Sequence, residues 1–188
     1  MEFKRLSKSE VSRLYDERMV RDFVKEERKP LGMILDLCEA GKYDPLGVFD
    51  DDVFVGYTFF QKAGADYLLD YFSVLPEKRN AGIGSRVLSS LREFYKDAES
   101  IILEVEDPER AVSLDSRELQ ERRLCFYLRN EVRDSDVKTV TFTVPFKLLE
   151  IPVGGMVHSR EEVAKLYEMH YRDVLSDAQY ARNVCIME

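Results

Sequence analysis

The chain is poor in residues that bind metals or cross-link a backbone: its 188 residues include two histidines and three cysteines. Cys38, Cys125 and Cys185 are odd in number, widely spaced, set in apolar surroundings, and form no Cys-x-x-Cys pair. Neither His158 nor His170 stands at ligand spacing from them. The pattern argues against a metal site and suggests no disulfides, and buried or half-buried free thiols without a metal are expected. No run approaches the ~18–20 apolar residues needed to span a bilayer. The first residues, Met1-Glu2-Phe3-Lys4-Arg5, turn charged at once without a signal-peptide core, so a cytoplasmic location is expected. Repeats, low-complexity tracts and Pro/Ser-rich linkers are also missing. Positive charge is in deficit: 28 Lys and Arg stand against 36 Asp and Glu, a net charge of −8. That argues against nucleic acid as the main partner and is compatible with a cationic small molecule or basic peptide.

What is present is an ordinary globular composition, 45% hydrophobic and 34% charged, over a length suited to one domain. Residues 2–6 suit a short strand, and Ser9 suits an N-cap for a helix bearing Val11, Leu14, Tyr15 and Val20. Pro30 opens a second short helix with Leu31, Ile34, Leu35 and Cys38, closed by Gly41. The apolar runs 46–49 and 53–61 flank Asp50-Asp51-Asp52 and read as an antiparallel hairpin with a solvated turn. Residues 67–75 form a further strand, stopped by Pro76. Ile83, Val87, Leu88, Leu91, Phe94 and Tyr95 mark one face of a helix, and residues 101–105 a buried strand. A polar helix-favouring stretch leads into Leu119, Leu124, Phe126, Tyr127 and Leu128. Residues 137–149 read as one long late strand, with Pro145 placing it at a sheet edge or a bulge. A last helix over 159–175 carries Val163, Leu166, Tyr167, His170 and Val174 on one face. His170 reads as a satisfied helix residue and His158 as a loop residue. Together these imply an α/β (α+β) fold, a mixed sheet with helices on both faces.

The informative segment is the passage from Asp70 to Ser85. A strand ends in a basic loop, Lys78-Arg79, and Gly82-Ile83-Gly84-Ser85 opens a helix. Glycines let a backbone approach a ligand closely, and the first helical N–H groups point outward with the positive end of the helix dipole behind them. The segment is thus a candidate anion site. A Walker-type loop needs Gly-Lys-Ser/Thr, but Gly84 is followed by Ser85-Arg86; a dinucleotide fingerprint needs a third glycine where Val87 stands.

The stretch Val74-Leu75-Pro76-Glu77-Lys78-Arg79-Asn80-Ala81-Gly82-Ile83-Gly84 resembles the acetyl-CoA signature of the GNAT N-acetyltransferases, Arg/Gln-x-x-Gly-x-Gly/Ala after a strand ending Val-x-Pro. The strand Ile101-Ile102-Leu103-Glu104-Val105 and the run from Arg123 to Asn130 resemble the family's next elements in order, and the likeness covers roughly residues 45–150. The resemblance implies a GNAT fold, a mixed central sheet of about seven strands splayed open at the cofactor strand. It implies a GNAT domain over residues 1–157, with 158–188 a C-terminal helical extension packed on that domain or in a homodimer interface.

By that resemblance acetyl-CoA is the co-substrate. Its pyrophosphate would sit on the amides of Arg79, Asn80, Ala81, Gly82, Ile83, Gly84 and Ser85, and its pantetheine would pair with the backbone of Phe72, Ser73 and Val74. An N–H near Val74 would hold the thioester oxygen as it gains charge. The implied reaction is direct attack by an amine, small molecule or peptide. An alkylammonium of pKa roughly 10 must first lose a proton. Glu104 matches the base position of some family members, with Glu106 and Asp70 as alternates, and Tyr127 matches the tyrosine that protonates the leaving thiolate. The usual Gly-Phe after that tyrosine is replaced by Glu131-Val132, which would loosen the register of the next strand. The pantetheine-contacting asparagine is replaced by Asp107-Pro108-Glu109-Arg110. The acidic residues Glu104, Glu106, Asp107 and Glu109 suggest a cationic acceptor. Two other readings are a non-catalytic acyl-CoA sensor or adaptor, and an assembly module.

Overall fold

The computed structural model describes residues 1–187, with the side chain of Glu26 left undescribed; Glu188, the last residue of the expected extension, lies outside the described residues. Local capping sets where the chain becomes helical. Ser7, rather than Ser9, caps the first helix: its hydroxyl accepts from the Glu10 N–H while the Glu10 carboxylate takes the Ser7 N–H at 2.8 Å. Strand β1 (Glu2–Arg5) therefore passes within two residues into α1 (Lys8–Leu14). A π turn comes next at Tyr15–Met19, then one short turn, α2 (Val20–Asp22). The π turn holds more residues than an α turn and so rotates the residues after it about the helix axis. Met19 enters the core fully buried, and Val20, expected there, is 45% exposed. Pro30 is the N-cap of α3 (Leu31–Glu39), and Gly41 at φ +69° ends that segment.

Strands β2 (Tyr43–Asp50) and β3 (Val53–Ala63) form the expected hairpin, closed by Asp51 and Asp52 with φ of +48° and +63°. The first of the three aspartates is not merely solvated, because Asp50 accepts both guanidinium arms of Arg86 at 2.9 and 2.5 Å. Next come β4 (Asp66–Val74), α4 (Ile83–Phe94), β5 (Ser100–Glu106) and α5 (Leu114–Arg129). The expected long late strand is two strands, β6 (Arg133–Thr141) and β7 (Val144–Glu150), turned at Phe142 and Thr143 with φ of +47° and +74°. Alternation continues through Phe142 and Val144, so the turn left no mark on the hydrophobic pattern. Pro145 is accordingly not on an edge: it pairs with Val140 beside the turn, and its carbonyl accepts the Asp107 N–H at 2.9 Å.

After α6 (Arg160–Val174) and α7 (Asp177–Asn183) the chain adds β8 (Val184–Ile186), which pairs with β6. Among the described residues the sheet therefore has eight strands, in the order β1-β2-β3-β4-β5-β7-β6-β8, one more than expected. It is mostly antiparallel. The segment after residue 157, expected to be helical, contributes that extra strand, which three residues were too short to announce.

The chain clusters into two compact units: residues 1–62 with 69–94, and residues 63–68 with 95–188. In the first, Val11, Leu14, Met19 and Ile34 pack on the aromatic face of Tyr43, Tyr57, Phe59 and Tyr71. In the second, α6 lays Val163, Tyr167 and Tyr171 on Leu68, Ile102, Val137, Leu148 and Val184. Cys38 is half-buried, but Cys125 and Cys185 are exposed, against expectation. Cys125 falls on an outer face of α5, and Cys185 on a strand where exposed and buried residues alternate. No helix among the described residues is long and apolar enough to cross a membrane.

Helix α5 ends with the Val132 N–H bonded to the Tyr127 carbonyl and the Glu131 N–H to that of Leu128, at 3.2 and 3.1 Å. This closure places Glu131 at φ +61°, a conformation suited to glycine. Further along β6 the register with β7 breaks between Asp134 and Val137. Glu131→Gly is expected to raise stability by about 1 kcal/mol, the cost of a left-handed non-glycine residue, read as a higher urea midpoint with unchanged slope.

Candidate active site

Strand β4 delivers the loop. The Leu75 N–H donates to the Val55 carbonyl of β3 at 2.9 Å, so Ser73, two residues earlier, also turns its backbone groups toward β3. Phe72 and Val74 then turn theirs to the opposite edge. There the Val74 carbonyl accepts Arg79 Nε at 2.9 Å. Beyond Arg79, Asn80 and Gly82 take φ of +63° and +72°. A Cβ on Gly82 would meet nothing within 4 Å, so glycine serves conformation there and leaves open space. Helix α4 starts at Ile83, and the Arg86 N–H donates back to the Gly82 carbonyl at 3.1 Å. The amides of Ile83, Gly84 and Ser85 precede that bond, at the positive end of a twelve-residue helix. Ile83 itself is buried, so it can offer a ligand only its backbone.

Two arginines of this region are engaged. Arg86 is held by Asp50, and Arg79 leans back toward β4 with a terminal nitrogen 3.9 Å from Asp22. Asp22 was not singled out by the sequence, having no motif around it. Its carboxylate, 8% exposed, accepts the Tyr57 and Ser73 hydroxyls at 2.7 and 2.9 Å. Burial first, and the Asp22 carboxylate beside it, push the Tyr57 hydroxyl well above the ordinary tyrosine range, so it stays protonated and donating.

The expected bases lie in different settings. Asp70 in the first unit accepts Lys29 Nζ at 2.6 Å and the Tyr43 hydroxyl. In the second unit Glu106 accepts the Gln120 amide at 3.0 Å and the Arg123 guanidinium. Glu104 is not an outward-facing strand carboxylate. One of its oxygens accepts the Tyr167 hydroxyl, the other that of Tyr171 at 3.0 Å. Tyr167 also shares a hydrogen with Thr141 Oγ1 at 2.5 Å, so two residues of α6 and one of β6 organise this carboxylate. The sequence had placed Tyr167 on a packing face of its helix; nothing in the spacing revealed its hydroxyl's partner.

Tyr127 stands half-buried on α5, its ring 5.2 Å from that of Phe126. Burial pushes its hydroxyl up to about 12, with the Arg123 charge opposing. The rest of the acidic run is also paired: Lys138 lies 3.4 Å from Asp107 and 2.5 Å from Glu109. Among the described residues no group of three or more His, Cys, Asp or Glu is placed to hold a metal ion.

A model of the acetyltransferase (GNAT) family matches residues 11–114, more than half of the chain. The chain belongs to the GNAT acetyltransferases. No curated protein matches this GNAT chain in sequence. Among solved structures, one described as a GNAT-family acetyltransferase from Bacteroides thetaiotaomicron superposes with a TM-score of 0.72 at 24% identity, over 93% of this chain and 98% of that one. Spermidine N-acetyltransferase from Vibrio cholerae, solved with CoA and spermine, gives 0.59 at 9% identity over 79% and 93%. The ribosomal-protein-S18-alanine N-acetyltransferase from Escherichia coli gives 0.55 at 11% identity over 84% and 96%. At these identities the likeness shows the GNAT fold alone.

Proposed function

We propose that this GNAT acetyltransferase moves an acetyl group from acetyl-CoA to a primary amine by direct attack. The observation that carries the reading is the loop after β4. Two left-handed kinks, at Asn80 and Gly82, open the N-terminus of α4 next to a strand whose Phe72 and Val74 turn their amides to one edge. A pyrophosphate fits the first feature and an extended pantetheine the second. The Vibrio cholerae neighbour was solved with CoA, which agrees with this choice of donor.

The chemistry asks for a base toward the amine and an acid toward the departing thiolate. Glu104 takes the first role in this reading and Tyr127 the second. Asp70 and Glu106 are each already engaged by a cation, Lys29 and Arg123. Tyr127, with its hydroxyl held protonated to about pH 12, keeps a proton to offer throughout the neutral range. The acceptor is a primary amine. Because Glu106, Asp107 and Glu109 are already matched by Arg123 and Lys138, the acidic run offers a cationic acceptor less charge than its sequence suggests.

The test is release of CoA thiol from acetyl-CoA against polyamines, aminoglycosides, basic peptides and neutral amines. Turnover with at least one amine is expected; tight acetyl-CoA binding with no thiol released by any would favour a non-catalytic sensor. Glu104→Gln is expected to lower kcat by about 10²-fold, the usual worth of a positioned base. In the same variant acetyl-CoA affinity should be unchanged; a wild-type kcat would remove Glu104 as the base.

A further inference from the structure

We propose that Asp22 is a positioning residue for the acyl-CoA donor, acting through Arg79 and Ser73 on the strand Phe72–Val74. The proposal rests on the acetyl-CoA reading above. Its basis is a buried carboxylate, two of whose three partners, Ser73 and Arg79, belong to the strand and loop expected to hold the donor. Removing a carboxylate from water is costly unless its oxygens are satisfied. Asp22 meets that cost with the Tyr57 hydroxyl of β3, the Ser73 hydroxyl of β4 and, at longer range, the Arg79 guanidinium. Among the described residues Arg79 is its only cation within 4.0 Å.

Arg79 is in turn a clamp. Its Nε holds the Val74 carbonyl at 2.9 Å while a terminal nitrogen faces Asp22, so one planar group spans the end of the strand and the helical segment before it. The first residue of the loop is thereby fixed against the strand on which the pantetheine is expected to pair. A second contact runs the same way, with Arg18 of the π turn lying 4.0 Å from Glu77 in the loop's lead-in. The π turn sets up both, since Asp22 lies three residues beyond the buried Met19 and shares its side of the helix. In this arrangement the Arg79 side chain orients the loop, and the phosphates are left to the backbone amides and the helix dipole.

The experiment is calorimetric titration of CoA into the full chain and into Asp22→Asn, Arg79→Gln, Arg79→Lys and the Asp22→Asn/Arg79→Gln pair. The Arg79 variants are expected to weaken CoA binding about tenfold, the scale of one charge-assisted contact, and Asp22→Asn by less, because its ion pair spans 3.9 Å. The pair should lose little more than the worse single, because both changes break one unit. Arg79→Lys keeps the charge but lacks the Nε fork, so it should fail to rescue. With turnover, KM for acetyl-CoA should rise and KM for the amine stay at its wild-type value, a split that general destabilisation would not produce. Wild-type affinity in Arg79→Lys would mean charge alone matters and overturn the proposal, as would losses that multiply in the pair. Should Asp22→Asn not fold, the two Arg79 variants decide alone. A wild-type chain that binds no CoA would instead overturn the donor reading beneath the proposal.

Discussion

Tyr127→Phe is expected to lower kcat by about 10²-fold or more while leaving CoA affinity at the wild-type value. The substitution removes one oxygen and little volume, so packing against Phe126 survives. What would be lost, on the proposed mechanism, is the proton offered to the leaving thiolate. With Tyr127 titrating at about 12 against an ordinary thiol near 8.5, complete transfer is uphill, and the hydroxyl is most useful as a donor to the sulfur as charge develops. The sign is set by the direction of the shift. Burial favours the neutral phenol, so Tyr127 remains protonated below about pH 12 and contributes no alkaline limb at pH 8–10. The variant should therefore run at a lower rate with a pH profile of the same shape. Stopped-flow measurement of thiol release under single-turnover conditions checks this; an unchanged rate would reduce Tyr127 to packing.

Gly56→Ala is expected to have the largest structural effect. A Cβ at position 56 would run into the Ser73 carbonyl oxygen and lie 3.2 Å from Val74 Cα. Both obstacles are backbone, so no side chain can rotate away, and β3 and β4 must separate locally. Overpacking of this kind costs about 1–3 kcal/mol. The displaced residues are also those expected to receive the pantetheine, so CoA binding should fall more than stability alone explains. Urea denaturation and CoA titration of the same variant provide the two measurements. A stable variant with a large loss of CoA affinity is consistent with strand displacement; an unaffected one would mean the strands yield easily.

The fold class and the turn-to-helix conformation at residues 79–85 were legible because both depend on local chemistry. Glycines before an amphipathic run, a Val-x-Pro strand end and a three-aspartate turn each state their conformation within a few residues. What escaped was decided elsewhere in the chain. The turn at Phe142-Thr143 uses residues with no turn preference, and its conformation is imposed by the pairing of β6 with β7. The π turn at Tyr15–Met19 moved Met19 inward and Val20 outward, a rotation that a 3.6-residue template cannot anticipate. Glu131 is instructive in the opposite direction: the expected glycine is missing, but the backbone takes glycine's conformation anyway. The resemblance proposed Glu104 and Tyr127 as candidates, but it gave no sign of the hydroxyls on Glu104 or the carboxylate beneath Ser73. Those partners are separated by 63 and 51 positions and leave no periodic trace.

The two tyrosines that hold Glu104 lie at positions 167 and 171, while the stretch shared with the family model stops at residue 114. The catalytic family name is thus carried by one part of the chain, and the environment of the expected base by another. Grouping related sequences by their donor loops would sort them by what they all have. A grouping useful for predicting acceptors should compare the final third, asking which side chains sit on the carboxylate and from which helix they come.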